Sequence, residues 1–304
     1  MGAARCAPTH LDIMLTIEIA CALILALHVA VGLKVTTDRA AFLRRFLLVA
    51  GASWIGEDTC IRAYGFYAYD AGWGLFLDRM PLMIAAIWPA VILSSWEVAK
   101  HLVPSTHRRL ATRPLLVGAL VFADAWLIEP IAVQTGLWRW FEPGLFNVPI
   151  IGVAGWAYFA MLAVAVLEWV ERAQEPAVYE AAILLVAPLG AHVLLVATWW
   201  ALFRWITVPI PSWPAVALGF AVSLGLAGWA AMAGARKRMP PAAIFSRMPP
   251  AIFFFVLLAV FGRAVPALVV WAVAFAPPWL ALTPWNALRR KESSRTQTGR
   301  NLRQ

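Results

Sequence analysis

The chain has 304 residues, of which 62% are hydrophobic and only 13% carry a charge. A water-soluble protein of this length exposes many more charged side chains, so the composition excludes a soluble globular protein and indicates an all-α integral membrane protein. The net charge of +9 is concentrated in short loops and at the C-terminal end. That distribution is typical of membrane topology and contact with anionic lipid. We therefore expect the lipid bilayer, and no nucleic acid, as a partner.

Seven stretches are apolar enough to cross a bilayer, although the second is shorter than the roughly 20 residues usually needed. They cover residues 11–33, 41–56, 80–98, 114–133, 149–170, 178–200 and 213–235. The second is short because Arg44 and Arg45 interrupt it, and we expect both side chains to extend to the membrane interface. A last apolar stretch, 251–282, is too long for one straight helix and contains Arg263 and Pro266. It predicts either one broken span or a re-entrant pair.

These stretches predict a polytopic helix bundle with about seven or eight transmembrane helices. We expect a single transmembrane domain over residues 1–285, followed by a disordered basic C-terminal tail over 286–304. Lysine and arginine follow the first, third and seventh spans, which predicts that these loops and the tail are cytoplasmic. We expect a multi-pass protein of the bacterial inner (cytoplasmic) membrane.

Two loops on the opposite side resemble each other. Residues 65–69 read Gly-Phe-Tyr-Ala-Tyr and are followed by Leu75, Phe76 and Pro81; residues 136–140 read Gly-Leu-Trp-Arg-Trp and are followed by Leu145, Phe146 and Pro149. Glu57 and Glu129 precede the two glycines by eight and seven residues. This pattern predicts an internal duplication of a two-helix unit, and membrane proteins often place a site between such repeats.

The acidic residues of these units are the first candidates for chemistry. Hydrocarbon disfavours an ionised carboxylate, so Glu57 and Glu129 are either catalytic or paired structurally with Arg62 or Arg139. Two acids in one apolar cavity allow one to stay protonated while the other ionises, which suits protonation of a substrate and activation of water. Asp124, deeper in the fourth span, needs a partner and is either catalytic or structural.

Aromatic residues near the glutamates have two possible roles. Trp138, Trp140 and Trp156, together with Tyr64, Tyr67 and Tyr69, either line a cavity or belong to an interfacial aromatic belt. A fainter third repeat, Phe203-Arg-Trp205 after His192, leaves that histidine as either a packing residue or a participant. The sequence contains no pattern for a metal site and no phosphate or dinucleotide motif, so we expect no metal and no cofactor.

The same segments resemble those of the carotenoid biosynthesis membrane proteins, a family that includes carotenoid 1,2-hydratases of the bacterioruberin and gamma-carotene type. The resemblance is carried by residues 54–57 (Trp-Ile-Gly-Glu) and 65–69. It is strongest over 129–140 (Glu-Pro-Ile-Ala-Val-Gln-Thr-Gly-Leu-Trp-Arg-Trp), followed by Val148-Pro149 and Gly155-Trp156.

This resemblance implies that water is added across the terminal double bond of a linear carotenoid, without a redox cofactor. Glu57 or Glu129 would protonate the alkene, the aromatic side chains would stabilise the carbocation, and a second carboxylate such as Asp124 would accept a proton from water. We expect the substrate to contact Tyr67, Tyr69, Trp138, Trp140, Trp156, Arg62 and Arg139. The substrate would be a membrane-dissolved carotenoid or other isoprenoid lipid, and other enzymes of the pathway are possible partners.

Two other readings remain open from the residues alone. The repeats and the broken last stretch are also found in transporters, so a transporter or lipid-binding protein is one alternative. A carotenoid or isoprenoid cyclase is the other, because it shares acid-initiated carbocation chemistry and differs only in the fate of the cation.

Overall fold

Long apolar helices make up most of the computed structural model, which describes residues 10–103, 111–234 and 239–284. The long helices are α1 His10–Val35, α2 Arg39–Tyr64, α3 Leu82–Leu102, α4 Thr112–Thr135, α5 Ile150–Ala173, α6 Ile183–Ala201 and α7 Ser212–Met232. They are followed by the shorter helices α8 Pro241–Phe245, α9 Met248–Leu257, α10 Pro266–Val273 and α11 Ala276–Leu282. The predicted tail over 286–304 lies outside the described residues.

The chain is an integral membrane protein with an all-α bundle. Within the described ranges, seven helical stretches are long and apolar enough to cross a membrane. Leucines on their outer faces are exposed, for example Leu11, Leu185 and Leu218 at 67% each, which is expected where a helix faces lipid. Small side chains lie between the central helices instead: Ala125 in α4 and Ala160 and Ala163 in α5 are fully buried. Small residues let membrane helices approach closely.

Helix α2 is longer than the sequence indicated, since it extends to Tyr64 rather than ending at 56. Its charged side chains have partners within the bundle. Arg44 and Arg45 bind the carboxylate of Glu180 at 2.8 and 2.7 Å. Both therefore form ion pairs with a buried carboxylate within the bundle, in addition to any extension towards the membrane interface. Gly65, with φ of 62°, ends the helix in the left-handed conformation that glycine adopts at low cost.

The last apolar region forms a helical hairpin. Residues 241–262 make one apolar segment that includes a π-helical turn over Leu258–Gly262, and α10 begins after it at Pro266. Ile244 and Leu282, near the two ends of the region, pack with Val98 in one cluster. The chain therefore runs away from the end of α3 and returns to it, which resolves the predicted broken or doubled segment as two consecutive helical segments.

Four short strands lie at one end of the bundle, called here the strand end: β1 Tyr67–Tyr69, β2 Phe76–Leu77, β3 Met80–Pro81 and β4 Trp138–Trp140. Strands β2 and β3 form a hairpin, and Leu145 and Val148 form an isolated bridge at the corresponding place of the second unit. Helix α1 also begins at this end, where Glu18 accepts a hydrogen bond from the backbone of Gly74 at 2.9 Å. The loops after α2, α4 and α6 meet here, because Ile210 N donates to Gly144 O at 3.1 Å.

Candidate active site in an aromatic chamber

Strands β1 and β4 join the two repeated units directly. They pair antiparallel, with Tyr67 opposite Trp140, Ala68 opposite Arg139 and Tyr69 opposite Trp138. The flanking hydrogen bonds, Asp70 N to Leu137 O at 3.0 Å and Phe141 N to Phe66 O at 2.8 Å, make the two Tyr–Trp pairs non-hydrogen-bonded pairs. Such pairs bring side chains close together. The aromatic residues of both strands therefore share one face.

The ring contacts follow from this register. The ring centroids of Tyr67 and Trp140 lie 4.6 Å apart, and those of Tyr69 and Trp138 lie 5.7 Å apart in an edge-on arrangement. Side chains alternate across a strand, so Arg139 points to the other face, where it is exposed and lies over the ring of Phe141 at 5.3 Å.

Glu57 lies in α2, two turns before the helix ends, and its carboxyl group faces these aromatics. Its Oε1 accepts hydrogen bonds from the hydroxyl of Tyr67 at 3.1 Å and from that of Tyr69. Its Oε2 accepts a hydrogen bond from the indole nitrogen of Trp88 in α3 at 2.6 Å. Three donors from two elements, β1 and α3, thus fix one carboxyl group.

Glu129 occupies the equivalent position near the end of α4 and is 2% exposed. Its Oε2 accepts hydrogen bonds from the indole nitrogens of Trp138 at 2.7 Å and Trp140 at 2.8 Å. The indole of Trp156 in α5 also lies within hydrogen-bonding reach. The second carboxyl group is therefore surrounded by indole donors only.

Trp88 and Trp156 are equivalent residues of the two units. Each follows its proline, Pro81 or Pro149, by seven residues (88 − 81 and 156 − 149), and their rings pack with centroids 4.4 Å apart. Trp88 was not among the site residues predicted from the sequence, although its equal spacing from the repeated proline indicates that it is the equivalent of Trp156. The duplicated units therefore meet around a local two-fold arrangement of glutamates and indoles.

A chamber lies between these side chains, with a volume of about 730 Å³ when its open mouth is included. Both glutamates line it, together with Tyr67, Tyr69, Trp88, Trp138, Trp140, Trp156, Phe159, Ser53 and Cys60. Gly152 leaves room for the ring of Trp140, because a Cβ there would lie 2.4 Å from it. The walls are mostly aromatic and aliphatic, which suits a hydrocarbon.

The structure does not bring three of the predicted site residues to the chamber. Asp124 forms an ion pair with Arg247 instead, and that guanidinium also donates to the hydroxyls of Ser94 and Ser95 at 2.9 Å. The Asp124 carboxylate therefore pairs with the Arg247 guanidinium within the bundle.

Arg62 and Arg139 also lie outside the chamber lining. Arg62 binds Asp58 at 2.8 Å and also contacts Asp78, and Arg139 is exposed. Among the described contacts, neither Arg62 nor Arg139 pairs with a glutamate of the chamber, so the alternative of a structural pairing with Glu57 or Glu129 is wrong.

His192 in α6 lies beside the chamber mouth without lining it. Its Nε2 is 2.8 Å from the Thr59 hydroxyl and its Nδ1 is 2.7 Å from the Tyr64 hydroxyl. Since Thr59 donates its own hydrogen to backbone carbonyls such as Gly56 O at 3.0 Å, we assign Nε2 as the donor to Thr59 and Nδ1 as the acceptor from Tyr64. Both ring nitrogens are thus used to position neighbours.

The tyrosines of β1 lie outside the membrane-spanning helices. Burial, with the neighbouring Glu57 carboxyl as the second cause, raises the pKa of Tyr67 and of Tyr69 well above its ordinary value. Both phenols therefore stay protonated and donate to Glu57. The chamber as a whole offers two carboxyl groups, a set of hydrogen-bond donors and aromatic faces, which is the equipment for moving a proton and stabilising a cation.

The comparisons with known proteins indicate a role in carotenoid biosynthesis. The sequence model of a family described as "Carotenoid biosynthesis protein" matches residues 13–226, which includes α2 to α6 and both glutamates. No curated protein and no solved structure gives a significant match to the chain.

Proposed function

Because the chain belongs to the carotenoid biosynthesis protein family, we propose that it is an intramembrane enzyme that adds water across the terminal double bond of a linear carotenoid. The end group of the carotenoid enters the aromatic chamber, and the rest of the molecule stays in an apolar environment. No redox change occurs, so the reaction needs only an acid, a base and a water molecule.

The observation that carries this proposal is the placement of two glutamates, one from each repeated unit, on one apolar chamber. A soluble acid cannot protonate a hydrocarbon dissolved in lipid, whereas a carboxyl group buried at the end of a membrane helix can reach it. The indole and phenol groups hold both carboxyl groups in place before the substrate arrives, which removes the cost of organising them during the reaction.

The hydrogen-bond partners assign a role to each glutamate. Tyrosine hydroxyls both donate and accept, so a protonated Glu57 still has partners for its proton; indole nitrogens only donate, so the environment of Glu129 suits a carboxylate. We assign Glu57 as the acid and Glu129 as the base. Asp124 is given no part in the reaction, because Arg247 already binds it.

Hydration requires one proton transfer to carbon and one proton transfer from water. Glu57 transfers its proton to the CH carbon of the terminal double bond, and the π electrons form the new C–H bond, leaving a tertiary carbocation. The faces of Trp88, Trp138 and Trp140 stabilise the cation. Water forms the C–O bond while its proton passes to Glu129, and return of that proton to Glu57 completes the cycle.

A cyclase is the second candidate, and the apolar side chains that line the chamber favour it. Apart from the two carboxyl groups and the phenols, the described lining is almost wholly aromatic or aliphatic. A cation kept away from water would react with a double bond of its own chain and lose a proton, and the product would be an isomer of the substrate.

Expression in a host that accumulates lycopene or gamma-carotene tests the proposal. We expect the wild-type protein to yield a more polar pigment that is heavier by one water, and Glu57→Gln and Glu129→Gln each to abolish it. Glu97→Gln is the matched control, because Glu97 is 53% exposed and pairs with Lys100 away from the chamber. An isomer of unchanged mass would support the cyclase, and unchanged pigment with folded wild-type protein would leave transport or lipid binding.

A further inference from the structure

A groove adjoins the chamber on the outside of the bundle. It lies between the end of α2 and the last two turns of α6 and has a volume of about 590 Å³ when its open side is included. Its lining consists of Ala63, Tyr64, Phe66, Leu195, Val196 and Trp199, with Trp200 at its outer edge. Tyr64, Phe66 and Leu195 line both spaces. The groove and the chamber are therefore neighbours that share these three side chains.

The side chains that line the groove are apolar apart from the Tyr64 hydroxyl and the indole N–H groups of Trp199 and Trp200. The lining contains no charged side chain among the described residues, and its rings are flat surfaces: Phe66 packs on Tyr64 at 5.5 Å and on Trp199 at 5.0 Å between centroids. A polar solute would lose its hydration here and recover few hydrogen bonds, whereas a conjugated hydrocarbon chain would pack against the rings.

The outer part of the groove is open at the surface that faces lipid. Val196 and Trp200 are 44% and 61% exposed, and both lie on α6, whose outer face carries other exposed apolar residues such as Leu189. A chain of the same chemistry as the bilayer interior can therefore enter from the side without crossing water.

The junction between the two spaces is held rigidly. The hydroxyl of Tyr64 is bound to Nδ1 of His192, and Nε2 of the same ring is bound to Thr59 on α2. This arrangement fixes the Tyr64 ring relative to both helices and gives His192 a structural purpose outside the reaction. Tyr64 is thus a positioning residue between the groove and the chamber.

We propose that the groove binds the part of the isoprenoid chain that follows the end group, and that it is the route by which the substrate enters the chamber from the bilayer. This inference rests on the function proposed above for the identity of the substrate. It adds that the enzyme measures chain length: a long linear carotenoid fills both spaces, and a short isoprenoid with the same end group fills only the chamber.

The test uses bulky substitutions in the full-length protein. Ala63→Trp and Val196→Trp fill the groove from positions that do not themselves line the chamber. Val193→Trp is the control, since Val193 is 60% exposed on the same helix and does not line the groove. For each purified protein, retained carotenoid is measured by absorbance, and conversion is measured with the long carotenoid and with a short linear isoprenoid that has the same end group.

We expect both groove variants to retain less carotenoid and to lose about tenfold in kcat/KM for the long substrate, mainly through KM, while conversion of the short one stays within about twofold. The control should behave as wild type. Equal losses for both substrates, equal losses in the control, or wild-type behaviour of the groove variants would overturn the groove, as would a wild-type protein that retains no carotenoid. A wild-type protein that retains carotenoid in a groove-dependent way but converts neither substrate would overturn hydration and leave the groove standing.

Discussion

At the residue scale, the two glutamates are held by different kinds of donor, although they occupy equivalent positions. Glu57 is bound by two phenols and one indole, whereas Glu129 is bound by indoles. One unit has Tyr67 and Tyr69 where the other has Trp138 and Trp140, respectively, and this difference makes the two sites chemically unequal. A reaction that needs an acid and a base requires this inequality, because two identical sites would share the proton equally.

The indole of Trp88 should therefore matter through its N–H group and not only through its bulk. We expect Trp88→Phe to lower conversion by about ten- to hundredfold, since a hydrogen bond to a charged group contributes about 1.5–3 kcal/mol and each ~1.4 kcal/mol is tenfold in rate. Trp156→Phe should act in the same direction on Glu129. Product formed per amount of folded protein is the measurement.

The control for this pair is Trp169→Phe in α5, which is 44% exposed and contacts Tyr179 outside the chamber. It should retain wild-type conversion. Full activity in both Trp88→Phe and Trp156→Phe would show that these indole N–H groups do not support the reaction.

Part of the site could be predicted at this scale and part could not. The glutamates and the aromatics of residues 67–69 and 138–140 were predictable, because charge in an apolar chain and a repeated motif are visible in the sequence. Trp88 was not identified, since an isolated tryptophan in an apolar helix usually belongs to packing. The fate of Asp124 could not be predicted either, because its partner, Arg247, lies 123 residues away along the chain.

At the scale of elements, the arginines in the first part of α2 form ion pairs at the end of the bundle opposite the strands. Arg44 and Arg45 both bind Glu180, which is 1% exposed, and Arg45 also binds Glu171 at 2.7 Å. These contacts connect α2 to α5 and to the 3₁₀ turn before α6. They explain why a segment with two arginines in its second turn forms a full-length helix, which hydropathy alone does not indicate.

Glu180 should consequently be a stability residue. Its replacement by Gln removes the carboxylate partner of Arg44 and leaves Arg45 with Glu171 alone, and we expect a loss of about 1–3 kcal/mol in the free energy of unfolding. The figure is lower than the ~3–5 kcal/mol of a fully buried pair, because Arg44 and Arg45 are 36% and 18% exposed. Thermal unfolding of the detergent-solubilised protein measures the loss.

For comparison, Glu97→Gln removes an exposed carboxylate that pairs with Lys100 at 3.1 Å, and it should leave the midpoint of thermal unfolding almost unchanged. An unchanged midpoint in Glu180→Gln as well would mean that the Arg44–Arg45–Glu180 cluster does not hold α2 in place. The extension of α2 past residue 56 would then need another cause.

At the scale of the whole molecule, the sequence repeat corresponds to a physical pairing of two units. Helices α2 and α3 with β1 form one unit, and α4 and α5 with β4 form the other. The duplication could be predicted from repeated glycines and prolines. The antiparallel pairing of β1 with β4 could not, since three-residue segments such as Tyr-Ala-Tyr and Trp-Arg-Trp are too short to indicate strands. That pairing is what brings the aromatics of both units to one face.

The architecture is compatible with the proposed hydration of a hydrocarbon. The chamber lies at the strand end, close to the helix termini, and the groove beside α6 has exposed apolar residues on its outer side. The predicted cytoplasmic location of the opposite loops would place the chamber at the other side of the membrane. The number of spans was close to the prediction. For the last region the sequence left a broken span or a re-entrant pair open, and the structure has two helical segments there, the second beginning at Pro266.

Isotope labelling tests the central claim most directly. The purified protein is incubated with a linear carotenoid in water enriched in oxygen-18, and the product is examined by mass spectrometry. We predict that the product of the wild-type protein carries one oxygen-18 atom, and that Glu57→Gln and Glu129→Gln each form no labelled product. A wild-type product without the label, or labelled product at the wild-type rate from either glutamine variant, would contradict acid-initiated hydration by this pair of glutamates.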